Sequence, residues 1–254
     1  MAAFTALVLA GSRRGETDSV AMHAGVKHKS LAPAGGVPML TRVVDSLRQS
    51  PSVGRILVCA EDRGLVTTAA PGTDFFPAEG SPSRSVGSAL RSVTPPLLVT
   101  TSDHALLTPA MVETFCTAAS ASGADVAAGV AASATIRAAY PDAVRTFWRF
   151  RDEAYSGANL FALMSKGAEP AVSFWRRAED ERKRPWRIVR ILGVDNLLLY
   201  LCRLLTLQQA FARLSRRLKV RIAPIVLPFA EAAIDVDKPT DLDLANSILA
   251  RRAA

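Results

Sequence analysis

The chain has 254 residues, is 49% hydrophobic and carries 31 Lys and Arg against 23 Asp and Glu, a formal charge of +8. That length and apolar share suffice for a substantial buried core and exclude disorder as the main state. Cys59, Cys116 and Cys202 are odd in number and widely spaced, which excludes a disulfide framework and a Cys metal cluster and fits a reducing cytoplasm.

Phe4–Leu9 is a short apolar run ending at Ala10-Gly11. It lacks a basic leader and predicts a buried parallel strand rather than a signal peptide. Residues 12–30 are polar and basic and read as a long loop. Leu40, Val43, Val44 and Leu47 share one helical face, predicting a helix over 38–49. Strands are expected at 55–60 and 97–101, with a short helix at 85–93 between them. Pro109 opens a helix to Ala121, Pro being suited to a first helical turn. A fourth strand is expected at 125–130.

This alternation predicts an α/β, Rossmann-like domain spanning the whole chain, with a mostly parallel central sheet and helices on both faces. Ligands in such sheets bind beyond the carboxyl ends of the strands, where Gly11–Arg14 and Asp103 fall.

The second half is less regular. Strands are expected at 146–149, 159–164 and 221–227, and helices at 169–182, 188–207 and 208–218. Residues 165–220 thus form a basic helical insertion. The run at 188–207 contains Arg190, Asp195, Asn196 and Arg203, whose burial in lipid excludes a membrane-spanning helix. Pro239 opens the last helix, with Asp241 in its first turn and Arg251 and Arg252 in its last, as the helix dipole favours.

Residues 145–221 hold 17 Lys and Arg against 7 Asp and Glu. Such a segment suits anionic partners. Without a recognisable nucleic-acid module, no nucleic-acid partner is expected. The basic stretch from Arg182 to Gly193, with Trp186, leaves peripheral contact with an anionic membrane open, although a solvated basic face is the plainer reading.

Three segments carry the chemistry. The first is Leu9-Ala10-Gly11-Ser12-Arg13-Arg14-Gly15, followed by Lys29-Ser30-Leu31 and Gly36-Val37-Pro38-Met39-Leu40. Backbone N–H groups, guanidinium forks and a mobile ammonium are what a triphosphate needs. The second is Asp103, directly after a strand, where a carboxylate can serve a hard cation or cap a turn. The adjacent His104 reads as a loop histidine lining the pocket. The third is Asp235-Val236-Asp237, whose two carboxylates share a face in extended backbone, ahead of Pro239. Asp241 and Asp243 read as ordinary helix residues.

Together these segments resemble the MobA-like NTP transferases, nucleotidyltransferases of GT-A type fold that include sugar-phosphate and cytidylyl transferases. The resemblance covers the N-terminal half and the closing IDVDKPTDL segment. It implies a nucleotide site at Leu9, Ala10, Gly11 and Ser12, with Gly80 and Ser85 in a loop that closes over the base. The Arg84-Ser85-Val86 order leans towards CTP. It implies phosphate contacts from Lys29 and from Arg13 or Arg14, and Mg²⁺ on Asp103 with Asp235 and Asp237. Tyr155, Gly157 and Asn159 occupy the place where such enzymes hold the acceptor. The implied reaction moves NMP from an NTP to a phosphorylated small molecule and releases pyrophosphate. A GT-A glycosyltransferase using an NDP-sugar and a non-catalytic nucleotide-binding protein are the competing readings.

Overall fold

A computed structural model describes residues 3–12, 18–181 and 193–253. Arg13, Arg14 and most of the basic stretch from Arg182 lie outside the described residues. In chain order the elements are β1 (Phe4–Leu9), α1 (Ser19–His23), β2 (Pro33–Ala34), β3 (Val37–Pro38), α2 (Met39–Arg48), β4 (Val53–Ala60), α3 (Arg63–Ala69), β5 (Asp74–Pro77), α4 (Pro82–Ser92), β6 (Leu97–Thr101), α5 (Pro109–Ala121) and β7 (Val126–Ala132). They continue with α6 (Ser133–Ala139), β8 (Trp148–Arg149), β9 (Ala154–Leu163), α7 (Glu169–Asp180), α8 (Val194–Leu201), α9 (Leu207–Leu218), β10 (Ile222–Leu227) and α10 (Pro239–Ala253).

The main sheet runs β10-β7-β9-β6-β1-β4-β5, with β8 paired to β9. β1 is parallel to both β4 and β6, and β7 is parallel to β10. β9 alone runs antiparallel, wedged between β6 and β7. The continuous apolar sequence of β1 follows from cover on both faces. Ala6 and Val8 pack with Leu40, Val44 and Phe115 of α2 and α5, while Leu7 packs with Val86, Leu90 and Leu218 of α4 and α9. Burying each Leu or Val of this kind is worth about 2 kcal/mol over leaving it in water. Val172, Trp175 and Leu214, from the expected insertion, join the same cluster as Leu7.

The expected βαβ rhythm is present, with short unexpected elements added, among them α3, β5 and α6, and three further differences. The expected loop at 12–30 contains a helix: Asp18 accepts hydrogen bonds from the N–H groups of Val20 and Ala21 (2.9 and 3.0 Å) and starts α1. β9 begins five residues before the expected Asn159, because β7 pairs with residues 155–157 and β8 with Ala154 and Tyr155. The expected helix over 188–207 is, among the described residues, the eight-residue α8. It follows Gly193 at φ 94° and is followed by Arg203 at φ 54°. Among the described residues no helix is long and apolar enough to cross a membrane.

Candidate active site

The strand order reverses at β1: β4 and β5 lie to one side, β6 to the other. The carboxyl ends of β1 and β6 therefore flank a crevice. The Ser102 N–H donates to the Leu9 carbonyl (2.9 Å) and the Ala10 N–H to the Cys59 carbonyl (2.8 Å). Leu9 and Ala10 thus tie together the strand ends on both sides.

Lys29 enters this crevice from a single 3₁₀ turn, Lys29–Leu31. The His28 ring caps the turn, its Nδ1 accepting from the Ser30 N–H (3.1 Å). The Ser30 and Ser102 hydroxyls meet at 2.7 Å and clamp the turn to the end of β6. From the far end of the chain, the Val236 N–H donates to the Asp103 carbonyl (3.1 Å). Three segments distant in sequence are thereby joined by main-chain and buried hydroxyl contacts, which fixes the charged side chains they carry.

Those side chains converge. Lys29 Nζ lies 2.6 Å from Asp103 Oδ2 and 3.2 Å from Asp237 Oδ1. Burial works against the Lys29 charge, but the two carboxylates outweigh it and hold its pKa above the ordinary value. Asp103 Oδ1 is buried with no hydrogen-bond partner. An unpartnered buried carboxylate oxygen is costly, and a cation in the crevice would satisfy it. Two carboxylates already sharing one cationic atom fit a hard divalent ion whose other ligands are phosphate oxygens.

Asp235 is engaged differently. Arg145 Nη1 donates to its Oδ1 (2.8 Å) and Asn159 Nδ2 to its Oδ2 (3.1 Å). Arg145 Nη2 reaches Asp241 Oδ1 (2.9 Å), and Asp241 Oδ2 accepts from the N–H groups of Asp237 and Lys238. The Arg145 side chain is 7% exposed and that of Asp241 16%. Burial pushes the Asp235 pKa up, as do the charges of Asp237 and Asp103, against the pull of Arg145. Among the described residues no three carboxylates, histidines or cysteines gather as a metal cluster. The expected trio therefore divides into an Asp103–Asp237 pair and an Asp235 whose two oxygens already have donors.

The remaining expected residues differ in their surroundings. The Ser12 N–H faces the Glu61 carboxylate at 3.0 and 3.2 Å, and a Cβ on Gly11 would stand 3.1 Å from the same carboxylate. A negatively charged oxygen thus already occupies the amide expected to meet phosphate. Ala78 borders Gly11 from the 78–81 loop, and Gly80 stands in open space. The buried Ser85 hydroxyl accepts from the Glu79 N–H (2.9 Å) and donates to the Ser81 carbonyl (3.1 Å), shaping that loop from beneath. Asn159 joins the charged cluster through Asp235. Tyr155 turns into a satellite core with Val130 and Leu207, its hydroxyl donating to Asp152 (3.3 Å). Gly157 sits under Trp148, whose ring a Cβ there would meet at 3.4 Å. His104 is fully buried, and burial lowers its pKa to about 4, so it lines no open pocket.

Sequence reasoning missed Glu61 and Arg145 and read Asp241 as ordinary. Glu61 follows β4 as directly as Asp103 follows β6, so its position at a strand end was a usable signal. Arg145 lies in a stretch without periodicity and gave none.

Fold and strand-end site together define an α/β nucleotidyltransferase. The MobA-like NTP transferase domain model matches residues 6–190, and the chain belongs to that family. A transferase structure from Thermus thermophilus, described as hypothetical, is 30% identical over 94% of this chain and 99% of that one, with a TM-score of 0.81. The 4-diphosphocytidyl-2C-methyl-D-erythritol synthase of Anaerococcus prevotii shares the fold at 12% identity, covering 98% of this chain and 99% of its own, with a TM-score of 0.62. A CMP:2-keto-3-deoxy-manno-octonic acid synthetase complexed with CTP does so at 16%, covering 98% and 100%, with a TM-score of 0.57. No match was found among curated proteins.

Proposed function

We propose that this nucleotidyltransferase is Mg²⁺-dependent and moves NMP from an NTP, CTP by preference, to a phosphorylated small molecule, releasing pyrophosphate. The observation that carries this reading is the convergence of Asp103 and Asp237 on Lys29 at the switch point of the sheet. Asp103 and Asp237 would hold the Mg²⁺, which when bound neutralises charge on the phosphate oxygens. Lys29, held cationic by those carboxylates, is within reach of the same space and turns to the α-phosphate. Arg13 and Arg14 are assigned to the β- and γ-phosphates on the sequence resemblance alone.

An ionised phosphate oxygen of the acceptor attacks the α-phosphorus. A new P–O bond forms, the bond between the α-phosphorus and its bridging oxygen breaks, and pyrophosphate leaves with that oxygen. The nucleophile is already ionised near neutral pH, so no strong base is required. This agrees with the burial of His104, whose lowered pKa keeps it neutral. Catalysis then rests on in-line positioning and on charge placed in advance. Asn159, beside Asp235, is assigned to the acceptor side, with Gly157 and Tyr155 shaping the strand beneath. Support for CTP comes from the Arg84-Ser85-Val86 order and from the CTP complex of the synthetase that shares this fold.

The test is pyrophosphate release from each NTP, with Mg²⁺ and a panel of phosphorylated sugars, polyols and pterins, beside Asp103→Asn. Release requiring one NTP, one acceptor and Asp103 is expected. Absence of release across the panel, with no NTP binding by calorimetry, would overturn the reading.

A further inference from the structure

Helix α8 departs from the packing of every longer helix: it buries none of its residues fully, although its sequence is VDNLLLYL. Val194, Leu198 and Leu201 are 59%, 56% and 63% exposed, and Leu204 is 54% exposed. The spacing of four and three residues places Val194, Leu198 and Leu201 on one helical stripe, and Leu204 lies beyond the helix, past Arg203 at φ 54°. The opposite side is anchored. The Tyr200 ring meets Phe150 edge-on at 5.5 Å, and the Arg151 N–H donates to the Leu205 carbonyl (2.8 Å). The helix is held to the body of the protein, and the stripe faces away from it.

At its C-terminal end the stripe adjoins a cleft lined by Arg137, Arg149, Arg151 and Arg203 with Phe147 and Phe150. The two carboxylates of the cleft are used internally. Asp152 accepts from the Leu207 N–H and the Tyr155 hydroxyl, and Glu153 accepts from the Ser133 hydroxyl and the Ala154 N–H. Among the described residues none of the four arginines pairs with a carboxylate. Trp148, 47% exposed, stands beside Arg149. Asp195, the acidic residue of α8 itself, is held by Arg213 at 3.5 Å.

We propose that this surface, the α8 stripe with the arginine cleft beside it, docks on an anionic lipid bilayer. Apolar side chains enter the acyl boundary while guanidinium groups without carboxylate partners, Arg137 stacked over Phe147 at 5.3 Å, and an indole lie at headgroup level, the division of labour of an interfacial helix. A second copy of the chain is a poorer occupant. A two-fold interface on this patch would bring like-charged arginine clusters together. The inference is independent of which nucleotide or acceptor the crevice takes.

The experiment is flotation of the full chain with vesicles of phosphatidylcholine alone and of phosphatidylcholine with phosphatidylglycerol, at low and high salt. Flotation with the anionic vesicles only, reduced by salt, is expected. Leu198→Ser/Leu201→Ser keeps the charge and should lower the partition coefficient about tenfold by removing apolar insertion. Arg149→Gln/Arg151→Gln should lower it about thirtyfold, each basic residue near such a surface contributing about 1 kcal/mol. Unchanged melting temperatures show that both variants fold. The proposal is overturned by no flotation, by equal flotation on neutral vesicles, by full retention in the serine variant, or by a dimer in sedimentation velocity that the serine variant dissolves.

Discussion

At the carboxyl rim of the sheet, Lys29, Asp103, Arg145 and Asp241 are charged and largely withdrawn from water. On α8, Val194, Leu198 and Leu201 are apolar and more than half exposed. Both regions depart from ordinary partition, in opposite senses. At the rim each buried charge is matched by a counter-charge or a hydrogen-bond donor, and the arrangement is rigid because three chain segments enforce it. On α8 nothing among the described residues covers the apolar stripe, and its exposure is tolerated because the other side of the helix is fastened. The difference teaches that buried rim charges must find partners within the protein, whereas the stripe contributes hardly at all to the fold's stability.

The sharpest way to break that comparison is to remove a rim charge. Asp103→Asn should lower pyrophosphate release by about a thousandfold, the scale seen when one preorganised electrostatic group is lost. Lys29→Met should fall in the same range and act on kcat more than on KM, because its contact strengthens in the transition state. Single-turnover kinetics checks both.

Arg145→Met should leave Asp235 and Asp241 without their shared cation and cost about 4 kcal/mol in urea unfolding. Adding Asp235→Asn should recover part of the loss, since the remaining amide needs no counter-charge.

His104 offers a pH test of the same rim. Its folded pKa, about 4, lies below the ordinary 6.5 because burial disfavours the charge. The unfolded chain therefore binds the extra proton first, and the contribution of neutral His104 is intact above pH 6.5 and lost as pH falls towards 4. The loss should reach on the order of 3 kcal/mol at pH 4. Melting curves from pH 7 to 4 should flatten in His104→Gln relative to the parent.

The smallest effect belongs to α8. Leu198→Ser/Leu201→Ser should change unfolding free energy by less than about 0.5 kcal/mol, as exposed substitutions do. A larger loss would show that the stripe supports the fold and would erase the contrast.

Much of the first half was legible in the sequence for physical reasons. Phe4–Leu9 and Leu97–Thr101 are buried on both faces and so are apolar without interruption, and Pro109 marks the start of α5. Lys29, Asp103 and Asp237, which the structure brings together, were expected from their motifs: Lys29 after a long polar loop, Asp103 close behind β6 and Asp237 just ahead of the last helix. Elements made by tertiary contact were harder to read. β5 is four residues long and finds its place only through pairing with β4, and α1 has five residues and one cap. Tyr155-Ser156-Gly157 carries small and turn-forming residues, yet it is strand because β7 pairs with all three and β8 with Tyr155. The partition of the three aspartates was hidden for the same reason. Arg145 decides it from 90 residues away in sequence, and no local pattern announces that contact.

The placement of β9 between β6 and β7, with the Val236 N–H on the Asp103 carbonyl, also sets an order in time. On the ribosome, β6 and β7 are made before the strand that joins them, so the sheet stays split until residue 163 has emerged. Asp103 then waits for Asp237 on the order of ten seconds more at ordinary elongation rates. A nascent chain carries Asp103 without Asp237 throughout that interval, so the capacity to gather charge at the crevice arrives only near the end of translation.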